Sequence, residues 1–149
     1  MHGDSAERLR SKIDDMRERR ARLVPEAPPL RFGVAGFVIC RRTVEEAARE
    51  SQRITNVRAS AQGFSNYQQW LSGTQLENQM SIEEYSVSNR GLRTALVGTP
   101  DLIAERLTEL ESIGIDLTLF QFSPQHEEME RFATEVIPLV RGHRLEAVG

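Results

Sequence analysis

Residues 91–141, GLRTALVGTPDLIAERLTELESIGIDLTLFQFSPQHEEMERFATEVIPLVR, decide the fold class of this chain. They alternate strand, helix, strand and helix, with matching punctuation at each junction. Thr99, Pro100 and Asp101 give a cap, a proline in the first turn and an acid near the positive helix end. Ile103, Leu107 and Leu110 follow the helical repeat, and Gly114 stands where a helix ends in the left-handed region. IDLTLFQF then reads as a strand. Ser123 and Pro124 repeat the cap-plus-proline start, followed by Met129, Phe132, Ala133, Val136, Ile137 and Val140 at helical spacing. A strand that crosses through a helix to a parallel neighbour is the grammar of a β/α barrel.

Upstream, residues 4–23 predict a helix capped by Asp4 or Ser5, with Leu9, Ile13, Met16 and Leu23 as its apolar stripe. The opposite face carries Arg17, Arg19, Arg20 and Arg22, a solvated face rather than a nucleic-acid arm, since no aromatic residue interleaves with them. VPEAPPL stops this helix. RFGVAGFVIC follows, apolar almost throughout, as a parallel strand buried on both faces must be. Gly33 and Gly36 within it predict close approach by a neighbour. Thr43 with Glu46 forms a capping box for a helix reaching about Arg58. Residues 60–93 are polar and long for a structureless loop, and read as an ordered excursion, or lid, with one or two short helices. The chain from Gly142 onward is expected to fray.

The expected architecture is therefore α/β: one domain over residues 1–149, amounting to a leading helix and three βα units of a (β/α)8 barrel, with 60–93 as an insertion. A complete barrel needs about 250 residues, and this chain has 149. Net charge is −3, which gives no electrostatic footprint for nucleic acid. Cys40 is the single cysteine, so there is neither a disulfide framework nor a zinc cluster, and a reducing, cytoplasmic setting fits. No apolar run approaches the roughly 18 residues of a membrane span. The first twenty residues lack the apolar segment of a signal peptide.

In a β/α barrel, chemistry lies at the C-terminal strand ends. Here these are Phe37 to Cys40, Gly98 with Thr99, and Gln121 to Ser123. Arg90, in the turn SNRG, is either an anion clamp or a solvated or paired arginine. Thr99 is a helix cap or an anion-binding position. Ser123 is a cap or a cofactor contact. Cys40 reads as a buried strand residue rather than a nucleophile, because no base is identifiable beside it. The histidines lack metal-ligand spacing, and no catalytic residue or metal site emerges from the residues alone.

LVGTPDLIAERLTELESIGIDLTLFQFSPQHEEMERFATEVIPLV resembles the C-terminal end of bacterial luciferase-like flavin monooxygenases. YSVSNRGLRTALVGTP and LFQFSPQHEEMERFA look most like the dimethyl sulfone monooxygenase branch, with alkanesulfonate monooxygenases close by. MHGDSAERLRSKIDDMRERR and RFGVAGFVICRRTVEEA fit the same family, so the resemblance spans nearly the whole chain. It implies a two-component enzyme in which a flavin reductase supplies reduced FMN, and O2 and dimethyl sulfone yield methanesulfinate and formaldehyde. The flavin pocket is then expected to include Phe37, Arg90, Gln121 and Ser123, with Thr99 near an anion. Where the sulfonate enzymes carry an arginine and a histidine on the sixth strand, this chain has Ala35 and Phe37, which suits a neutral sulfone. Ser123 replaces a tyrosine, whereas Arg90 matches the arginine of the mobile loop. The first four strands, most of the fifth and the phosphate-binding segment have no counterpart here. The resemblance thus implies a C-terminal portion, inactive alone, that self-associates or docks with a missing barrel half. The alternatives are a non-catalytic subunit docking onto another barrel chain, a portion of an alkanesulfonate monooxygenase-like enzyme, and an independent small α/β module binding an anionic ligand at Thr99 and Arg90.

Overall fold

The computed structural model describes residues 1, 3–56, 65, 68–69 and 91–146, with side chains to residue 142. Helix α1 (Ala6–Leu23) is capped by the Ser5 hydroxyl, which accepts from the Arg8 N–H. Only Leu9 and Ile13 of its apolar stripe are buried, whereas Met16 and Leu23 are exposed. A strand follows in two pieces, β1 (Gly33–Phe37) and β2 (Ile39–Cys40), and then α2 (Val44–Thr55), whose Thr43 hydroxyl accepts from the Glu46 N–H as the capping box requires. α2 ends at Thr55, with Asn56 as its C-cap, three residues short of the expected Arg58.

The chain is next described at Ser65, Gln68 and Gln69, each in helical conformation. Residues 60–64, 66–67 and 70–90 of the excursion, Arg90 included, lie outside the described residues. From Gly91 the order is a 3-10 turn (Leu92–Thr94), β3 (Val97–Gly98), α3 (Pro100–Ser112), β4 (Leu117–Gln121), α4 (Gln125–Arg131), a π turn (Phe132–Val136) and α5 (Ile137–Glu146). Thr99 caps α3, Pro100 is its first residue and Gly114 closes it at φ 97°, as the spacing predicted.

Three expectations need correction. Ser123 does not cap the last helix: Pro124, in extended conformation, occupies the cap position and has no side-chain acceptor to offer. The stripe of that helix is only partly buried, with Phe132 and Val136 inside and Met129 and Ala133 outside. The π turn widens the repeat there and rotates the following residues away from their α-helical positions. The chain beyond Gly142 is helical to Glu146 rather than frayed.

Every pairing among the described strands is parallel. β1 pairs with β4 in register from Gly33 with Leu117 to Phe37 with Gln121, and β2 pairs with β3 through Ile39 with Val97 and Cys40 with Gly98. Hydrogen-bond parity shows that these are two edges of one strand. Val38 N–H donates to Gln121 on the β4 side, whereas Phe37, Ile39 and Arg41 donate to Gly91, Leu96 and Gly98 on the other. The β1–β2 strand is therefore central, with β3 and β4 flanking it.

In a barrel wall, β4 would neighbour β3 and all helices would lie on one face. The observed order differs, and so do the faces. Val34, Val38 and Cys40 share a core with Leu9 and Ile13 of α1, Ile103, Ala104 and Leu110 of α3, and Phe132 and Val136 of the π turn. Phe37 and Ile39 point the other way, into a smaller cluster with Ala47 and Ile54 of α2 and with Leu92. Strand length accounts for the order: β3 has two residues and offers β4 almost no edge, whereas β1 has five, matching β4.

Of the two glycines in β1, only Gly36 is crowded. A Cβ there would lie 2.9 Å from both Leu96 Cδ1 and Thr94 Oγ1. Thr94 cannot swing away freely, because its hydroxyl donates to the Gly91 carbonyl at 2.9 Å. At Gly33 the nearest atom to such a Cβ is the Leu117 carbonyl oxygen at 3.6 Å, ordinary contact. Gly36→Ala is therefore expected to destabilise the fold by about 1–3 kcal/mol through overpacking. Gly33→Ala should be close to neutral. Urea melts of both variants check the contrast.

Candidate functional site

At the C-terminal end of the central strand, two arginines and a buried carboxylate meet. The Cys40 carbonyl accepts from Arg41 Nη1 at 2.7 Å and from Arg131 Nη1 at 3.1 Å. Arg41 Nη1 lies 2.9 and 2.8 Å from the two carboxylate oxygens of Glu128, and Arg131 Nη1 donates to its Oε1 at 2.8 Å. Glu128 is 3% exposed. The chain of charge continues outward: Arg41 Nη2 is 3.7 Å from Glu50, which receives Arg53 Nε and Nη2 at 2.9 and 2.7 Å. The Arg53 hydrogen bonds hold the Glu50 carboxyl below its ordinary range, against the upward push of burial and with help from the charges of Arg53 and Arg41. α2, through Glu50, and α4, through Glu128 and Arg131, are thus tied together by Arg41 at the strand end.

Beside this network lies a cleft of about 660 Å³, lined by Arg41, Arg42, Arg49, Arg53, Arg131, Glu46, Glu50 and Glu135. Every one of these residues is charged. A flavin ring needs an apolar wall to stack on or slide beneath, and the described residues offer none here. The cleft does not fit an isoalloxazine, and no flavin-dependent step is assigned to it.

The positions singled out in the sequence are placed as follows. Phe37 is buried in the α2-facing core cluster. Gln121 is its cross-strand partner and is exposed. Ser123 lies exposed two residues beyond β4. Thr99 is engaged as the α3 cap, accepting from the Leu102 N–H at 3.5 Å. Cys40 is fully buried, and that burial, followed by the Glu135 charge, pushes its thiol up to about 11. Among the described residues, no group of three His, Cys, Asp or Glu is arranged to hold a metal, and no helix is long and apolar enough to cross a membrane.

Sequence reading missed the Arg41–Glu128–Arg131 network. Its signals were present but weak: an arginine directly after a buried strand, and a Glu–Arg pair three apart at the start of a late helix. Nothing local shows that positions 41 and 128 meet.

Removing one partner of a buried pair typically costs about 3–5 kcal/mol. Arg41 and Arg131 side chains retain 20% and 34% exposure, so solvent screens part of the charge that Glu128→Ala would strand. Glu128→Ala is expected to cost about 2–3 kcal/mol in urea unfolding, while Arg53→Ala, at the exposed end of the chain of charge, should leave the midpoint unchanged. Cys40 should resist alkylation in the folded protein at pH 8, where a thiol titrating near 11 is protonated and covered, and react at once in urea.

Comparison with known proteins places the chain in a family. The profile of the luciferase-like monooxygenases matches residues 1–117. The chain is 33% identical over 157 aligned positions to the FMNH2-dependent dimethylsulfone monooxygenase of Pseudomonas fluorescens (strain Pf0-1), and 35% identical over 153 to that of Pseudomonas putida. Each alignment takes in 94% of this chain and 40% of the relative, so the chain spans well under half their length. Among solved structures, riboflavin lyase with modified FMN and riboflavin superposes with a TM-score of 0.62 at 19% identity, over 95% of this chain and 39% of that one. At that identity the likeness speaks to fold alone.

Proposed function

The chain belongs to the luciferase-like monooxygenase family, and on that premise we propose that it is the C-terminal part of a reduced-FMN-dependent monooxygenase acting on a small organosulfur compound, dimethyl sulfone first. The observation that carries this reading is the alignment of 94% of the chain with enzymes named for that reaction. The absence of a charged side chain at Ala35 on the central strand supports a neutral sulfone over an anionic sulfonate, whereas Phe37 is taken up by the core against α2. A separate flavin reductase would deliver the reduced cofactor, and O2 would be the oxidant.

The division of labour follows from what the described residues do. They build a strand, fix its C-terminal end with the Glu128 network and pack a core cluster against each of its faces. The charged cleft supplies no wall for a flavin ring. The slot for the ring, and the exclusion of water on which flavin oxygen chemistry depends, would then be completed by sequence beyond these residues. Arg90, in the excursion, remains the proposed anion contact, with Gln121 and Ser123 at the pocket wall and Thr99 near the anion.

On this reading the purified chain, given reduced FMN, O2 and dimethyl sulfone, releases no formaldehyde above a flavin-only control. The full-length Pseudomonas putida relative, assayed alongside it, does. Turnover by the isolated chain comparable with that relative would contradict the proposed division, and a full-length homologue containing this segment that ignores sulfones would contradict the substrate.

A further inference from the structure

A second hollow lies at the opposite end of the sheet from the charged cleft. It opens beside Leu117 and Thr118, where β4 begins level with Gly33. The charged cleft follows Cys40 at the other end of the same central strand, roughly 20 Å away at the rise of a β-strand. The hollow has a volume of about 830 Å³, the size of a small-molecule pocket. Its walls are Leu107 of α3, Phe120 of β4, Phe132 of the π turn, and Ile137 and Val140 of α5. Phe132 is buried, whereas the other four pack against the main core and stay partly open. The Phe120 and Phe132 rings lie 4.7 Å apart and are inclined at 52°. Walls set at an angle suit a flexible chain better than a flat fused ring, which needs parallel faces.

The open side is charged. Arg17, Arg31 and Arg141 stand there against Glu111 and Asp116. Asp116 is turned to the backbone, where it accepts the Phe32 N–H at 2.7 Å. Arg17 is held over the Phe32 ring, 5.4 Å from its centroid, and lies 4.0 Å from Asp14. Arg31 and Arg141 are exposed and make no ion pair among the described residues. Two unpaired guanidinium groups therefore line a hollow whose body is apolar.

We propose that this hollow binds a small aliphatic carboxylate. Arg31 and Arg141 hold the head, and the chain lies against Phe120, Ile137 and Val140. Burial of the chain supplies affinity, and the forked guanidinium donors select the carboxylate over a neutral head. The hollow stands apart from the strand ends where the family's chemistry is expected. Binding there requires neither flavin nor sulfone, and stands whether or not the functional reading does.

The test titrates the purified chain with octanoate by calorimetry, beside 1-octanol, which has the same chain and no charge. The expected result is one octanoate per chain, with nuclear Overhauser contacts from its methylenes to the rings of Phe120 and Phe132. The double variant Arg31→Gln/Arg141→Gln should weaken octanoate about tenfold, the loss expected for charge-assisted hydrogen bonds, and leave 1-octanol unchanged. Arg10→Gln/Arg22→Gln removes the same charge from exposed positions that do not line the hollow, and should leave octanoate unchanged. Equal weakening in both double variants, binding that does not saturate, or contacts to Phe37 in place of Phe120 would overturn the proposal. So would a lowered melt of Arg31→Gln/Arg141→Gln, which would make those arginines structural. Displacement of octanoate by a lower concentration of FMN would assign the hollow to the flavin and overturn it as well.

Discussion

The strand from Gly33 to Cys40 must satisfy two edges and two faces at once, and the rest of the structure answers that demand. Its sequence offers almost no polar side chain, so its backbone groups must find partners in neighbouring strands. The odd-numbered amides look to Met1, Gly91, Leu96 and Gly98, and Val38 looks to Gln121. Gly36 lets Leu96 and Thr94 approach closely enough to serve the first edge. β4 serves the second. The helices then divide between the faces according to which side chains they find there.

The same strand positions the site. Its last carbonyl, that of Cys40, would otherwise end in the protein interior with one short neighbour. Arg41 and Arg131 donate to it, and Glu128 balances their charge. Such an arrangement contributes less to stability than its number of contacts suggests, because desolvating three charged groups offsets much of the attraction. Its effect is to fix where α2 and α4 leave the sheet, and with them the strand ends at which this family's chemistry is expected. The proposed function therefore separates scaffold from reactive pocket: the described residues hold the ends in place, and the flavin slot is assigned to sequence beyond them.

Local rules were legible in the sequence, and long-range pairing was not. The Thr43 and Thr99 caps, Pro100 and Gly114 were legible because each is a short-range steric or hydrogen-bonding requirement. The buried character of RFGVAGFVIC was legible because apolar residues ran through both of its faces. Strand order was not, since nothing in IDLTLFQF says whether its neighbour is two or eighty residues away. The last helix misled in two places: Met129 lies on the α-helical stripe yet is exposed, and a π turn from Phe132 shifts the phase of the residues that follow. Ser123 looked like a cap because Ser-Pro is a common helix start, but the cap position falls one residue later, on Pro124. Of the site, the strand ends were foreseen, whereas the Arg41–Glu128 contact joins residues 87 apart and left no local trace.

The central claim is that one strand carries β3 on one edge and β4 on the other. Amide hydrogen exchange along residues 33–41 tests it most directly. Val38, donating to Gln121, and Ile39, donating to Leu96, should be protected to the same extent and exchange only with global unfolding. Rapid exchange at Val38 beside slow exchange at Ile39 and Arg41 would mean that β4 does not flank this strand, and that the β1–β2 strand is not the central one.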